Sequence, residues 1–235
     1  MKRNASHTSL ILFAHTGDEE VHHKHLLPGL SLKKQKEFFR HLNFRAENLL
    51  KATQLPYFIF NACHQKGETF GARLHAALAA VFSQGFENVV VIGNDCPALL
   101  SANIQEATNQ LLLKKVVLGP TKNGGIYLLG LTKQIFEHTQ NLEAVRWQTG
   151  NVVEDLSTLF KLKEAAIFLL PKYTDVNRPA DLKIVVEDKN VSHLIRKIYF
   201  ISLGIKHWLS YRNPALELTY FLISHLVFRG PPKLI

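Results

Sequence analysis

The stretch Val89-Val90-Val91-Ile92-Gly93-Asn94-Asp95-Cys96-Pro97 constrains the fold more than any other part of this chain. Consecutive aliphatics rich in β-branching read as a strand buried on both faces, the kind found in parallel sheets covered by helices. Gly93 ends the run, and Pro97 has no N–H to donate to a ladder, so the chain must leave the sheet here. Asp95 is left just beyond the carboxyl end of a central strand. In open α/β sheets ligands bind at that place.

The remaining pattern agrees with such a sheet. Residues 10–14, 57–60, 116–119, 126–129 and 166–170 read as further strands. Between them, helical spacing of apolar residues predicts helices after Ser31, from Gly71, Ser101, Lys133 and Val152, and after Arg178, with Pro179 in the first turn. Residues 15–29 show little periodicity and read as a loop. Strands alternating with helices imply βαβ units and a mainly parallel sheet.

Bulk composition narrows the partners. The chain has 235 residues, 46% of them hydrophobic, enough for one large domain or two small ones. Its net charge of +9 favours anionic partners such as nucleotides and phosphorylated metabolites. No RNA-binding or helix-turn-helix signature is present, so nucleic acid is not an expected partner. Cys63 and Cys96 have no paired-ligand spacing, which speaks against a disulfide framework and fits a reducing, cytoplasmic setting. No apolar run approaches the ~18 residues of a spanning helix.

Residues 190–235 have a different texture. Six basic residues stand there against one acid, Glu217, among the aromatics Tyr199, Phe200, Trp208, Tyr211, Tyr220, Phe221 and Phe228. This extension reads as two or three helices beyond a domain of residues 1–189. Its aromatics suit core closure or a homodimer contact, or a peripheral contact with an anionic membrane surface.

Several residues could carry chemistry. Asp95 is placed to hold Mg²⁺ or Mn²⁺, hard cations that take oxygen ligands and bridge to phosphates; capping or bracing a loop is the structural alternative. Asp175 and Asn177 lie two apart, so an extended chain points them the same way, and either could meet Asp95 at one ion. A turn before Pro179 would explain them equally well. Asp181 falls inside the following helix and reads as structural. Arg73 sits in a first helical turn, where free N–H groups and a guanidinium suit an anion or simply face water. Gly119-Pro120-Thr121-Lys122-Asn123-Gly124-Gly125 is a turn that lets a ligand approach the backbone, or a plain hairpin. His22-His23-Lys24-His25 reads as a solvated, phosphate-facing patch rather than a transition-metal site. Neither G-x-S-x-G, H-E-x-x-H nor a Walker pattern occurs.

Taken in order, Gly71-Ala72-Arg73-Leu74, Ile92-Gly93-Asn94-Asp95-Cys96-Pro97, Val117-Leu118-Gly119-Pro120-Thr121-Lys122-Asn123-Gly124-Gly125-Ile126-Tyr127, Arg146-Trp147-Gln148-Thr149-Gly150 and Asp175-Val176-Asn177-Arg178-Pro179 resemble a bacterial family of transferases. The family is labelled radical-SAM/selenodomain-associated transferase type 1, within the GT-A-like nucleotide-diphospho-sugar transferase superfamily. The resemblance spans about residues 8–187 and is most specific from 71 to 131. It implies a Rossmann-like GT-A fold binding a nucleotide or nucleotide sugar and a small acceptor. Nucleotide contacts would come from Ala14, His15, Lys24, Gly71, Arg73 and Asn94. Asp95, with Asn177 or Asp175, would hold the metal, and Asp95, Lys24 and Arg73 would serve catalysis. Asn123, Gly124, Gly125, Tyr127 and Trp147 would line the acceptor side. The implied activity is glycosyl transfer or nucleotidyl transfer to a sugar phosphate. Three features depart from the family pattern: Asn123 and Asn177 replace the usual Asp, and the first loop carries the acids Asp18, Glu19 and Glu20. These departures suit an alternative, a GT-A domain that has lost catalysis and acts as a binding or scaffold module.

Overall fold

The computed structural model describes residues 7–139 and 142–204. In chain order the elements are β1 (Thr8–Phe13), α1 (Gly17–His23), α2 (Leu32–Ala52), β2 (Tyr57–Phe60), α3 (Phe70–Phe82), β3 (Asn88–Ile92), α4 (Ser101–Leu112), β4 (Val116–Pro120), β5 (Ile126–Thr132), α5 (Lys133–His138), α6 (Val152–Lys161), β6 (Ile167–Leu169), α7 (Pro179–Val185) and α8 (His193–Ser202). The strands form one sheet in the order β2-β1-β3-β5-β4-β6. β1 pairs in parallel with β2 and β3, and β4 with β6; β5 alone runs against its neighbours. The mainly parallel α/β architecture is therefore the one expected, with β3 at its centre.

Side-chain alternation explains the layers. Ile11, Val89, Val91, Leu118 and Leu129 point to one face, where α3 adds Leu74, Leu78 and Val81 and α6 adds Leu156 and Phe160. Leu10, Leu12, Val90, Ile92 and Val117 point to the other, packing on Ala46 and Leu50 of α2 and on Ile104, Ala107 and Leu111 of α4. All five residues of β3 are buried, so each Val contributes roughly 1.5–3 kcal/mol of burial from one of two cores.

A third apolar cluster roofs the carboxyl edge of the sheet. It joins Val21, Leu26 and Leu27 to Phe38, Phe39 and Leu42 of α2, to Val176, Leu182 and Val185, and to Val191 and Ile195. α8 thus packs into the same body as the residues before it. The rest of the aromatic extension, including Trp208, Tyr211, Tyr220, Phe221 and Phe228, lies outside the described residues.

Residues 15–29 are not the plain loop expected. α1 forms there because Thr16 and Glu19 make a capping box: Glu19 N–H reaches Thr16 Oγ1 at 3.3 Å, and Glu19 Oε2 accepts from Thr16 N–H at 2.7 Å. Val21 anchors the short helix from inside. Ser31 does stand at the N-cap of α2, but its side chain makes no cap bond. α3 begins one residue before Gly71, capped by Thr69, whose hydroxyl accepts from Ala72 N–H.

Candidate active site

β3 delivers Asp95 to the carboxyl edge of the sheet. A Cβ on Gly93 would lie 3.1 Å from Asp95 Oδ1, so a small residue lets the carboxylate fold back over the strand end. Asp95 C=O accepts from Val176 N–H at 2.7 Å, which draws the segment carrying Asp175 and Asn177 alongside. Lys122 N–H donates to Tyr173 C=O at 2.8 Å and seats the same segment against the 119–125 turn.

Lys24, at the C-cap of α1, reaches this edge. Its Nζ lies 3.2 Å from Asp95 Oδ2, 3.2 Å from Glu20 Oε1 and 3.3 Å from the Val176 carbonyl. Burial pulls the ammonium down, yet Asp95 and Glu20 outweigh it and hold Lys24 above its ordinary value. Asp175 is buried as well. Its Oδ1 accepts from Asn123 Nδ2 at 3.3 Å and its Oδ2 accepts from Asn177 Nδ2. Burial, reinforced by the Asp95 charge, raises its pKa. Two carboxylates, Glu20 and Asp95, therefore contact one ammonium, and Asp175 feels the Asp95 charge.

The acids of the first loop do not confront a ligand together. Successive helical residues turn by about 100°, so the three point apart. Asp18 turns outward to Arg40 at 2.8 Å and Lys36 at 3.2 Å, which lower its pKa. Glu19 is used in the cap, and Glu20 points inward to Lys24.

The donor set suits a hard cation. Asp95, Asp175 and the Asn177 amide offer only oxygen ligands, and Asp95 and Asp175 repel one another in a way a cation would relieve. Among the described residues no three His, Cys, Asp or Glu side chains gather as a metal-binding group. Such a cation would thus draw on one or two carboxylates, the amide and ligand phosphates, the usual pattern for Mg²⁺. In the histidine run, His23 stacks on His15 at 4.7 Å between ring centroids.

The residues expected on the nucleotide side are held by a relay that sequence reading missed. Asn43 of α2 donates to His15 C=O at 2.8 Å and accepts from Asn94 Nδ2 at 2.6 Å. It ties the ends of β1 and β3 together. A polar residue among the apolar positions of α2 was the only available signal. Ala14 N–H donates to Phe60 C=O, continuing the ladder to β2. Arg73 makes an exposed side-chain contact, donating to Glu68 C=O at 3.2 Å. Gly71 is a packing residue: a Cβ there would lie 2.8 Å from Trp147 Nε1.

On the expected acceptor side the structure separates surface from support. Asn123 and the two glycines form the turn, where Gly124 has φ +83° and would bring a Cβ within 1.9 Å of Gly150 O. Tyr127 does not line an open surface. The ladder shifts register at Gly119/Pro120, and Tyr127 turns into the core, its hydroxyl donating to Pro171 C=O at 2.9 Å. Trp147 packs on Phe70 and donates to Leu142 C=O, bracing the start of α3. A cleft of about 270 Å³ opens beside the turn, lined by Ala98, Lys122, Lys172, Tyr173, Thr174 and Glu187 among others. Asp181, as expected, is structural, accepting from the Asn177 and Arg178 N–H groups.

Residues 43–149 match a family described as an uncharacterized protein conserved in bacteria (DUF2064). One solved structure shares the fold. A candidate nucleotide-diphospho-sugar transferase from Desulfovibrio desulfuricans G20 superposes with a TM-score of 0.69 at 20% identity, over 84% of this chain and 94% of that one. Two others align more loosely. A homologue of Rv0371c from mycobacterium sp. strain JC1 gives a TM-score of 0.43 at 12% identity, over 83% of this chain and 98% of its own. CMP:2-keto-3-deoxy-manno-octonic acid synthetase, complexed with CTP, gives 0.41 at 13% identity, over 76% and 96%. No curated protein matches the chain. Among the described residues no helix is long and apolar enough to cross a membrane.

Proposed function

We propose that this chain is a metal-dependent transferase that takes a nucleotide or nucleotide-sugar donor and passes its glycosyl or nucleotidyl group to a small acceptor. The observation that carries the reading is the placement of Asp95 at the carboxyl end of the central strand, beside Lys24 and the Asp175–Asn177 segment. Mg²⁺ or Mn²⁺, when bound by Asp95 with Asp175 or Asn177, would supply neutralisation of the donor diphosphate.

The chain's own groups have definable tasks. Lys24 would grip phosphate oxygens and offset charge as it develops on the departing phosphate. The relay through Asn43 would hold His15 and Asn94 in place around the nucleotide. The free N–H groups at the start of α3, with Arg73, would attract the anionic donor, aided by the overall charge of +9. The acceptor would approach from the cleft beside Asn123, Gly124 and Gly125, with Tyr127 supporting that wall from behind and Trp147 bracing the start of α3.

Calorimetry with a panel of nucleoside diphosphates plus Mn²⁺, on the native chain and on Asp95→Ala, tests the reading. Binding by at least one nucleotide, weakened at least about tenfold in the variant, is expected. Failure of every nucleotide to bind, or binding indifferent to Asp95→Ala, would overturn it.

A further inference from the structure

We propose that Lys24 is the built-in counter-ion of the Asp95 site: it holds the place beside Asp95 that a divalent cation would otherwise claim, and releases it when phosphates arrive. The inference rests on the transferase reading and concerns the order in which the site fills.

An ammonium has three N–H donors. Lys24 faces three acceptors: Asp95 Oδ2, Glu20 Oε1 and the Val176 carbonyl. The side chain is thus satisfied inside the protein rather than extended toward an incoming anion. Glu20 is itself buried and lies one helical turn before Lys24, so the pair forms a unit on α1. The other basic groups near α1 are committed elsewhere, Arg40 and Lys36 to Asp18. Among the described residues, Lys24 is therefore the cation paired with Asp95.

Two cations cannot share one carboxylate edge without repulsion, which is strong where water is partly excluded. A divalent ion approaching Asp95 alone meets the Lys24 charge at 3.2 Å from the same carboxylate. The flexible four-carbon stem of lysine allows a different arrangement once an anion is at hand. A donor phosphate offers Lys24 a new partner and frees Asp95 Oδ2. The site is thereby biased to take up its metal together with, or after, the phosphates.

Electron paramagnetic resonance of free Mn²⁺, with no nucleotide present, tests this on the full chain. The native protein is compared with Lys24→Met. A double variant, Glu20→Gln with Lys24→Met, avoids stranding the buried Glu20 and guards against loss of folding. Mn²⁺ binding at least about tenfold tighter in the lysine-free chains, and lost again when Asp95→Ala is added, is the expected result. Equal Mn²⁺ affinity in native and lysine-free chains, abolished by Asp95→Ala, would overturn the counter-ion role and leave the metal reading standing. Tighter binding that survives Asp95→Ala would overturn it too, because the ion would sit elsewhere. Absence of Mn²⁺ binding in every chain would overturn both this inference and the cation part of the proposed function.

Discussion

Two carboxylates lie side by side at the carboxyl edge of the sheet and are held in opposite ways. Asp95 is half-buried and is answered by a full charge, the Lys24 ammonium. Asp175 is buried and is answered by two neutral amides, Asn123 and Asn177. The first arrangement is stiff in charge and tolerant in geometry. The second is the reverse: it depends on a turn folded closely enough to aim two amides, and it leaves the negative charge only partly compensated. The difference shows where positive charge is already supplied and where it is still wanted.

The largest effect should come from breaking the charged half. Lys24→Met leaves Glu20 buried and Asp95 unpaired. Losing one partner of such a pair costs about 3 kcal/mol, read as a lower midpoint in chemical denaturation. The double variant with Glu20→Gln should lose distinctly less, since no buried charge is stranded. A Lys24→Met chain as stable as the native one would show that the two halves are not held differently after all. The charge pair also sets its own pH range. The pKa of Lys24 is raised in the folded chain, so its contribution is complete below the ordinary value of 10.5 and disappears only as pH climbs through the raised value.

The geometric half should break through its backbone. Gly124 needs a positive φ, and a Cβ there would collide with Gly150 O. Gly124→Ala should cost about 2 kcal/mol or more, a fall in melting temperature of roughly 4–8 °C for a chain of this size. Asn123 and Asp175 should lose their hydrogen bond in the same variant. A variant that melts like the native chain would mean that the turn has an alternative path, and that the amides are not aimed by its shape.

The two halves also differed in how far they could be read from sequence. β3 and its carboxylate were legible because a fully apolar run must be buried on both faces and must end where Gly93 and Pro97 stand. The pairing of Asp175 with Asn177 followed from their spacing on extended chain. α1 was not legible by periodicity, because seven residues make two turns and show no stripe; the Thr16–Glu19 cap was its one local signal. The direction of Asp18, Glu19 and Glu20 could not be known before the helix was, and only the helix turns three apparent repellents into an outer salt bridge, a cap and a partner for Lys24. Tyr127 was misjudged for a different reason. Its neighbours Gly124 and Gly125 marked a turn, while the register shift at Gly119/Pro120 that sends its ring inward is a property of the ladder. Asn43 gave no sign beyond its polarity, because its partners lie 28 and 51 residues away.

The smallest effect, and the finest test of the comparison, is the pH dependence of Asp175. Burial and the Asp95 charge raise its pKa in the folded chain. The folded state therefore binds more protons than the unfolded one between the ordinary carboxylate value of 3.8 and the raised value. In that window stability falls as pH rises: the contribution is fully present below 3.8 and is gone once pH has passed the folded value. Asp175→Asn removes the titration. The substitution also disturbs the hydrogen bonds to Asn123 and Asn177, which shifts stability by an amount that does not vary with pH. The informative quantity is thus the difference in melting temperature between variant and native chain, followed from pH 4 to pH 7. It should move in favour of Asp175→Asn as pH rises. A difference that stays flat would mean that the amides compensate Asp175 as fully as Lys24 compensates Asp95. A difference moving the other way would mean that Asp175 is stabilised in its charged form, and that the positive charge this half awaits is already present in the fold.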